Sequence, residues 1–176
     1  MKSAVLVIDV QSGLFDPEPR PYESDIVVGE INRITESARQ RNVPVVFIQH
    51  EQPNSLLQHG STGWQLQSKL TVATGDHVIS KSTPDSFLKT NLQTLLTDLQ
   101  VDNLIVCGYA SEFCVDTTVR KAASLGYSIT LVSDAHTTHD KEHATGAQIR
   151  SHHNATLPNI KSFGVTIQAV NAASLW

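Results

Sequence analysis

Runs of residues that are apolar at successive positions, rather than at alternate ones, are the strongest constraint this chain places on its own fold. Short apolar runs rich in Val and Ile fall at 4–8, 43–48, 77–80, 104–107, 128–132 and 165–170, and several of them are of this uninterrupted kind. A strand of that kind must be covered on both faces, as in a parallel sheet lying between two layers of helices. The helices are visible between the runs. Over 26–41, Val27, Ile31, Ile34 and Ala38 share one helical face. Leu88, Leu92, Leu95, Leu96 and Leu99 repeat the period, as do Val115, Val119 and Ala122, with Gly126 as a stop. This alternation predicts an α/β fold: a three-layer α/β/α sandwich, Rossmann-like, with a mostly parallel and roughly six-stranded sheet and right-handed crossovers. Pro17, Pro19 and Pro21 mark a loop after the first strand, and 51–63 a longer one after the second. No repeat or linker divides the 176 residues, so one domain over 1–176 is expected.

Charge and cysteine usage exclude several classes of function. Thirteen Lys and Arg against 17 Asp and Glu give −4, without a basic block, which removes the footprint of a nucleic-acid binder. The opening apolar run stops at Asp9, too short for a signal-peptide core or a spanning helix, so a cytosolic protein with no membrane association is expected. A nucleotide-binding module would need a Gly-rich turn after the first strand, and 10–13 holds a single glycine. Cys107 and Cys114 form neither a CxxC pair nor a disulfide framework. Cys107 lies inside an apolar strand and reads as core.

Open parallel sheets bind ligands beyond the carboxyl ends of their strands. Those ends hold Asp9 and Gln11, His50 and Glu51, Lys81, the stretch from Gly108 to Cys114, and the stretch from Asp134 to His139. Cys114 stands where a strand gives way to a helix. A free thiol titrates near pH 8.5 and is only a few per cent thiolate at neutral pH, so a nucleophilic cysteine needs a helix amino end or a nearby cation. Lys81 can be that cation and Asp9 the acceptor of the thiol proton. Taken singly, Cys114 is an ordinary core residue, Asp9 a turn cap and Lys81 a solvated charge. Their joint placement at strand ends is what speaks for chemistry. His136, His139 and His143 are spaced as on a helix, with His152 and His153 following. No cysteine accompanies them, however, and the segment starts at a strand end, so no metal site is expected there. His136 or His139 is expected to touch substrate instead, and Trp64 and Tyr109 have the size to wall a pocket.

Taken in order, several fragments resemble one family. They are Val7-Ile8-Asp9-Val10-Gln11 with Phe15 following; Lys81 with Ser86-Phe87; Val106-Cys107-Gly108-Tyr109-Ala110-Ser111-Glu112-Phe113-Cys114-Val115 continuing through Thr118, Ala122 and Gly126; and Val132-Ser133-Asp134-Ala135. This order is similar to that of the isochorismatase-like cysteine hydrolases, which include nicotinamidases, N-carbamoylsarcosine amidohydrolases and isochorismatases. The resemblance implies a catalytic triad of Asp9, Lys81 and Cys114. It also implies a cis peptide before Ala110, an oxyanion hole formed by the N–H groups of Ala110 and Cys114, and a homo-oligomer, dimer or tetramer. Gln11, Phe15, Trp64, Tyr109, His136 and His139 are the expected substrate contacts. The Asp-x-His metal segment that nicotinamidases carry after the second strand is missing: Gln49-His50-Glu51 stands there, with His59 later. Cys114, which vinyl-ether-cleaving isochorismatases often lack, is present. The expectation is therefore a hydrolase of an amide or carbamoyl C–N bond in a small molecule, working through a thioester with no cofactor and no metal. The alternatives are an isochorismatase-type hydrolase of another small substrate and an inactive scaffold acting through protein association.

Overall fold

The computed structural model describes residues 1–176. In chain order the elements are β1 (Ser3–Ile8), α1 (Ser12–Phe15), α2 (Ser24–Gln40), β2 (Val45–His50), β3 (His77–Lys81), α3 (Leu92–Asp98), β4 (Asn103–Tyr109), a π-helical turn (Ser111–Val115), α4 (Asp116–Ser124), β5 (Ser128–Thr137), α5 (Gly146–Thr156) and β6 (Ile167–Val170). The six strands form one sheet in the order β3-β2-β1-β4-β5-β6. Every neighbouring pair is parallel. No helix is long and apolar enough to cross a membrane.

The two-residue period of a strand divides the central sheet between two cores. Ala4, Leu6 and Ile8 of β1 pack with Leu92 and Leu96 of α3 and with Val119 and Ala122 of α4. Val5 and Val7 point the other way, into a core with Phe47, Cys107 and the Val27, Ile31, Ile34 and Ala38 face of α2. Cys107 is fully buried there, as its place in an apolar run predicts.

Two elements differ from expectation. The leucine period from 88 to 99 yields a helix only over Leu92–Asp98, and Leu88 is exposed. Side chains hold the preceding segment in turns: the Phe87 N–H donates to Asp85 Oδ1 at 2.8 Å, and Thr90 Oγ1 donates to the Ser86 carbonyl at 2.7 Å. β5 runs to Thr137, five residues beyond the apolar run, so Asp134 and His136 lie within a strand and not in a loop after it.

Gly108 closes the approach of β4 to β1. Its φ is +117°, and a Cβ there would meet the Ile8 carbonyl oxygen at 2.1 Å. Both the sign of φ and the contact with backbone demand glycine. Gly108→Ala is expected to lower stability by about 3 kcal/mol, combining left-handed strain with a clash that no side chain can relieve. Urea denaturation measures this, and a loss under about 1 kcal/mol would contradict the close approach.

Candidate active site

Asp9 follows β1 with φ of 52°, a left-handed conformation that aspartate tolerates better than most residues. Its N–H donates to the Ile48 carbonyl at 2.9 Å, which ties it to the end of β2. Lys81 ends β3, two strands away, so its stem must cross the end of β2 at roughly 4.8 Å per strand to reach β1. It does so completely buried: Nζ donates to Asp9 Oδ2 at 2.7 Å, with side-chain exposures of 0% for Lys81 and 2% for Asp9. Nζ also lies 3.3 Å from Cys114 Sγ, 3.1 Å from His50 Nδ1 and 3.1 Å from the Thr83 carbonyl.

Cys114 arrives from the opposite side on the π-helical turn, after a cis Tyr109–Ala110 peptide. The Ala110 carbonyl accepts from the Phe113 N–H at 3.0 Å and from the Val115 N–H, five residues on, at 3.1 Å. A π turn is wider than an α turn and recurs at functional sites. Behind it, Ser111 and His136 are joined at 2.8 Å and both fully buried.

One ligating atom each from Asp9, His50 and Cys114 falls within a mutual 4.8 Å, the only grouping of the chain's ligating side chains this close. The Lys81 ammonium sits within hydrogen-bonding distance of all three, so a cation already occupies the space a metal ion would need. Burial, and then the Asp9 carboxylate, push the Cys114 thiol up to about 12, and Lys81 opposes them only in part. The resting sulfur therefore keeps its proton, where the helix end and the lysine alone suggest a lowered thiol. Asp9 Oδ1 is buried and has no hydrogen-bond partner, the one open acceptor in the group.

Residues 3–165 match the family model of the isochorismatase domain. The chain belongs to the isochorismatase family. It is 33% identical over 138 residues to a streptothricin hydrolase of Streptomyces noursei, covering 78% of this chain and 50% of that protein. This chain thus spans about half the length of that relative. Nicotinamidase 3 of Arabidopsis thaliana is 28% identical over an alignment of 180 positions that covers 92% of this chain and 81% of its own. A crystal structure of an isochorismatase family protein superposes with a TM-score of 0.88 at 35% identity, over 97% of this chain and 98% of the other.

Within this family framework the structure brings Asp9, Lys81 and Cys114 together and leaves three expected substrate contacts out of reach. Gln11 is fully buried: its Oε1 accepts from the His50 N–H at 2.9 Å, and its Nε2 donates to the His50 and Trp64 carbonyls at 2.9 and 2.8 Å. It is a clamp on the β2 end. Phe15 is fully buried with its ring against Tyr109 at 5.8 Å. His136 has no free nitrogen, because Nδ1 is paired with Ser111 Oγ and Nε2 with Asn154 Oδ1, each at 2.8 Å. Asn154 uses its Nδ2 to donate to the Ser133 carbonyl, so its Oδ1 must accept from His136 Nε2–H, and Nδ1 accepts from the serine. Burial holds that imidazole down to about 4, and it stays neutral. Tyr109 and His139 remain partly exposed and joined, Oη to Nδ1, at 2.7 Å. Trp64 is partly buried with its ring 4.4 Å from that of His59. His139 and His143 lie in a loop while His136 is on β5, so the three never share a helix face. His50, set aside in the sequence for lack of a metal-binding neighbour, is in direct contact with the lysine. The signal for it lay across the sheet, where β2–β3 pairing sets His50 beside Lys81.

Proposed function

We propose that this chain is a cysteine hydrolase that cleaves an amide or carbamoyl C–N bond of a small molecule through a thioester on Cys114. The observation that carries this reading is the buried, unpartnered Asp9 Oδ1 in the same tight cluster as the Cys114 sulfur, which has the Lys81 ammonium 3.3 Å away. As Sγ attacks the substrate carbonyl carbon, Asp9 takes the thiol proton. Lys81, at 3.3 Å from sulfur, steadies the developing negative charge. The carbonyl oxygen becomes an oxyanion received by the backbone N–H groups of Ala110 and Cys114. The C–N bond then breaks, and the proton held on Asp9 goes to the departing amine or ammonia. Asp9, again a carboxylate, takes a proton from water as the hydroxyl adds to the thioester, and returns it to sulfur as the acid leaves.

Relatives named streptothricin hydrolase and nicotinamidase support a hydrolytic reading. The absent Asp-x-His segment and the ammonium among the ligating groups speak for a substrate recognised without metal. Tyr109, His139 and Trp64 are the remaining candidates for its contacts. The family resemblance further implies a homo-oligomer, dimer or tetramer, and light scattering reads its order. The reading is tested by a turnover screen of small amides, ureas and carbamoyl compounds with ammonia detection, followed by acid quenching and mass spectrometry with the best substrate. An acyl adduct on the Cys114 peptide is expected. Turnover without any adduct under single-turnover conditions would rule out the thioester.

A further inference from the structure

Lys81 has three protons to donate and four acceptors within reach. They are Asp9 Oδ2 at 2.7 Å, His50 Nδ1 and the Thr83 carbonyl at 3.1 Å, and Cys114 Sγ at 3.3 Å. An ammonium has three N–H bonds and no lone pair, so one of the four must always go short. Asp9 carries the opposite charge and the shortest contact, and the Thr83 carbonyl is backbone only two residues from Lys81. Competition is therefore between the imidazole and the sulfur. A thiol is a poor acceptor and an imidazole nitrogen a good one, so at rest the third proton belongs to His50. A thiolate carries a full charge and reverses that order.

The placement of His50 is built into the fold. Register sets it beside Lys81 across the β2–β3 pair, where the lysine stem must pass it to reach Asp9. The Gln11 side chain grips both the N–H and the carbonyl of His50, at 2.9 Å each. The charged groups around its ring are Lys81 from β3, Asp9 from the end of β1 and the adjoining Glu51. Burial first, and the Lys81 charge second, lower its basicity, which keeps the ring neutral at neutral pH. An Nδ1 that accepts from an ammonium leaves the ring proton on Nε2.

We propose that His50 is a positioning residue of this site, holding the third Lys81 proton while Cys114 is a thiol and releasing it to sulfur as the thiolate forms. This rests on the reading of Cys114 as nucleophile. The bond from Lys81 to sulfur is then made chiefly when charge develops, which favours the transition state over the resting enzyme. Removing the competitor should leave the third N–H permanently on sulfur and make the resting thiol more acidic.

The test is the rate of Cys114 alkylation by iodoacetamide against pH in the parent, His50→Leu and His50→Asn. Leucine keeps bulk and excludes water but accepts nothing, whereas the Asn amide oxygen can stand where Nδ1 stood. His50→Leu is expected to lower the alkylation midpoint by about one pH unit and to raise the rate at neutral pH about tenfold. His50→Asn should fall within a few tenths of a unit of the parent. An unchanged or raised midpoint in folded His50→Leu would overturn the proposal. Imidazole 15N spectra of the unmodified protein supply a check that needs no variant: Nε2–H with a bare Nδ1 is expected, and the opposite tautomer sinks the idea. Neither measurement uses turnover. Survival of activity in Cys114→Ala would defeat the hydrolase reading, whereas a normal midpoint in His50→Leu beside a dead Cys114→Ala would defeat this inference alone.

Discussion

Cys114→Ala is expected to abolish turnover, by a factor of about 10⁴ or more, while the protein stays folded. The side chain is only partly buried and packs against the edge of the core beneath α4, so deleting one sulfur should change stability by about 1 kcal/mol or less. Its chemistry has no substitute. The only other thiol, Cys107, is buried in the opposite core, so the variant has no second sulfur with which to form the acyl bond. Cys107→Ala provides the contrast. That sulfur lies in the opposite core, fully buried, with one weak contact to the Leu6 carbonyl at 3.5 Å. Its removal should cost stability through a small cavity and leave turnover intact. If Cys114→Ala kept more than about a tenth of the parental rate on the best substrate, covalent catalysis through this residue would be wrong.

How much of this was legible in the sequence depended on how local each cause was. β1, β2 and β4 announce themselves because both faces of each strand are buried, and a run such as Ala4 to Ile8 has no other ready reading. The three groups proposed as a triad lie at or just beyond strand ends, where an open parallel sheet gathers its ligands. Misreadings arose where long-range partners satisfy polar groups. The end of β5 looked like a loop because Asp134, His136 and Thr137 are polar, yet Asp134 Oδ1 accepts from the Ala172 N–H at 2.8 Å and His136 is sealed between Ser111 and Asn154. Gln11 looked like a ligand contact beside Asp9, but its amide pairs with a backbone 39 residues away. The importance of His50 lay in the register between strands, which spacing along the chain does not encode. The leucine period before β4 was real. Its first turn lost to side-chain bonds from Asp85 and Thr90, a competition that periodicity cannot reveal.

Asp9 and Lys81 should behave as one unit, so that the second substitution costs far less than the first. Asp9 is buried beside a single cation, and removing that cation by Lys81→Met leaves an almost fully buried carboxylate with no counter-charge. An isolated carboxylate there is driven to take up a proton, which disarms it as the base. Loss of the ammonium also removes the one charge that draws the thiol downward, so the thiol should become still less acidic and its alkylation slower. Lys81→Met is therefore expected to cost about 10³-fold in turnover, and Asp9→Asn in the parent a similar factor. Adding Asp9→Asn to Lys81→Met should cost less than about threefold, because the carboxylate no longer works there. Stability should show the same coupling with a telling sign. Breaking a buried pair from one side costs about 3–5 kcal/mol, less whatever proton uptake recovers, whereas replacing both partners leaves no unpaired charge. The double variant should thus unfold at higher urea than Lys81→Met alone. Turnover, alkylation rate and urea midpoint in the four proteins of the cycle measure all of this. Losses that simply add, or a double variant less stable than both singles, would mean that the buried pair does not act on Cys114 as a unit.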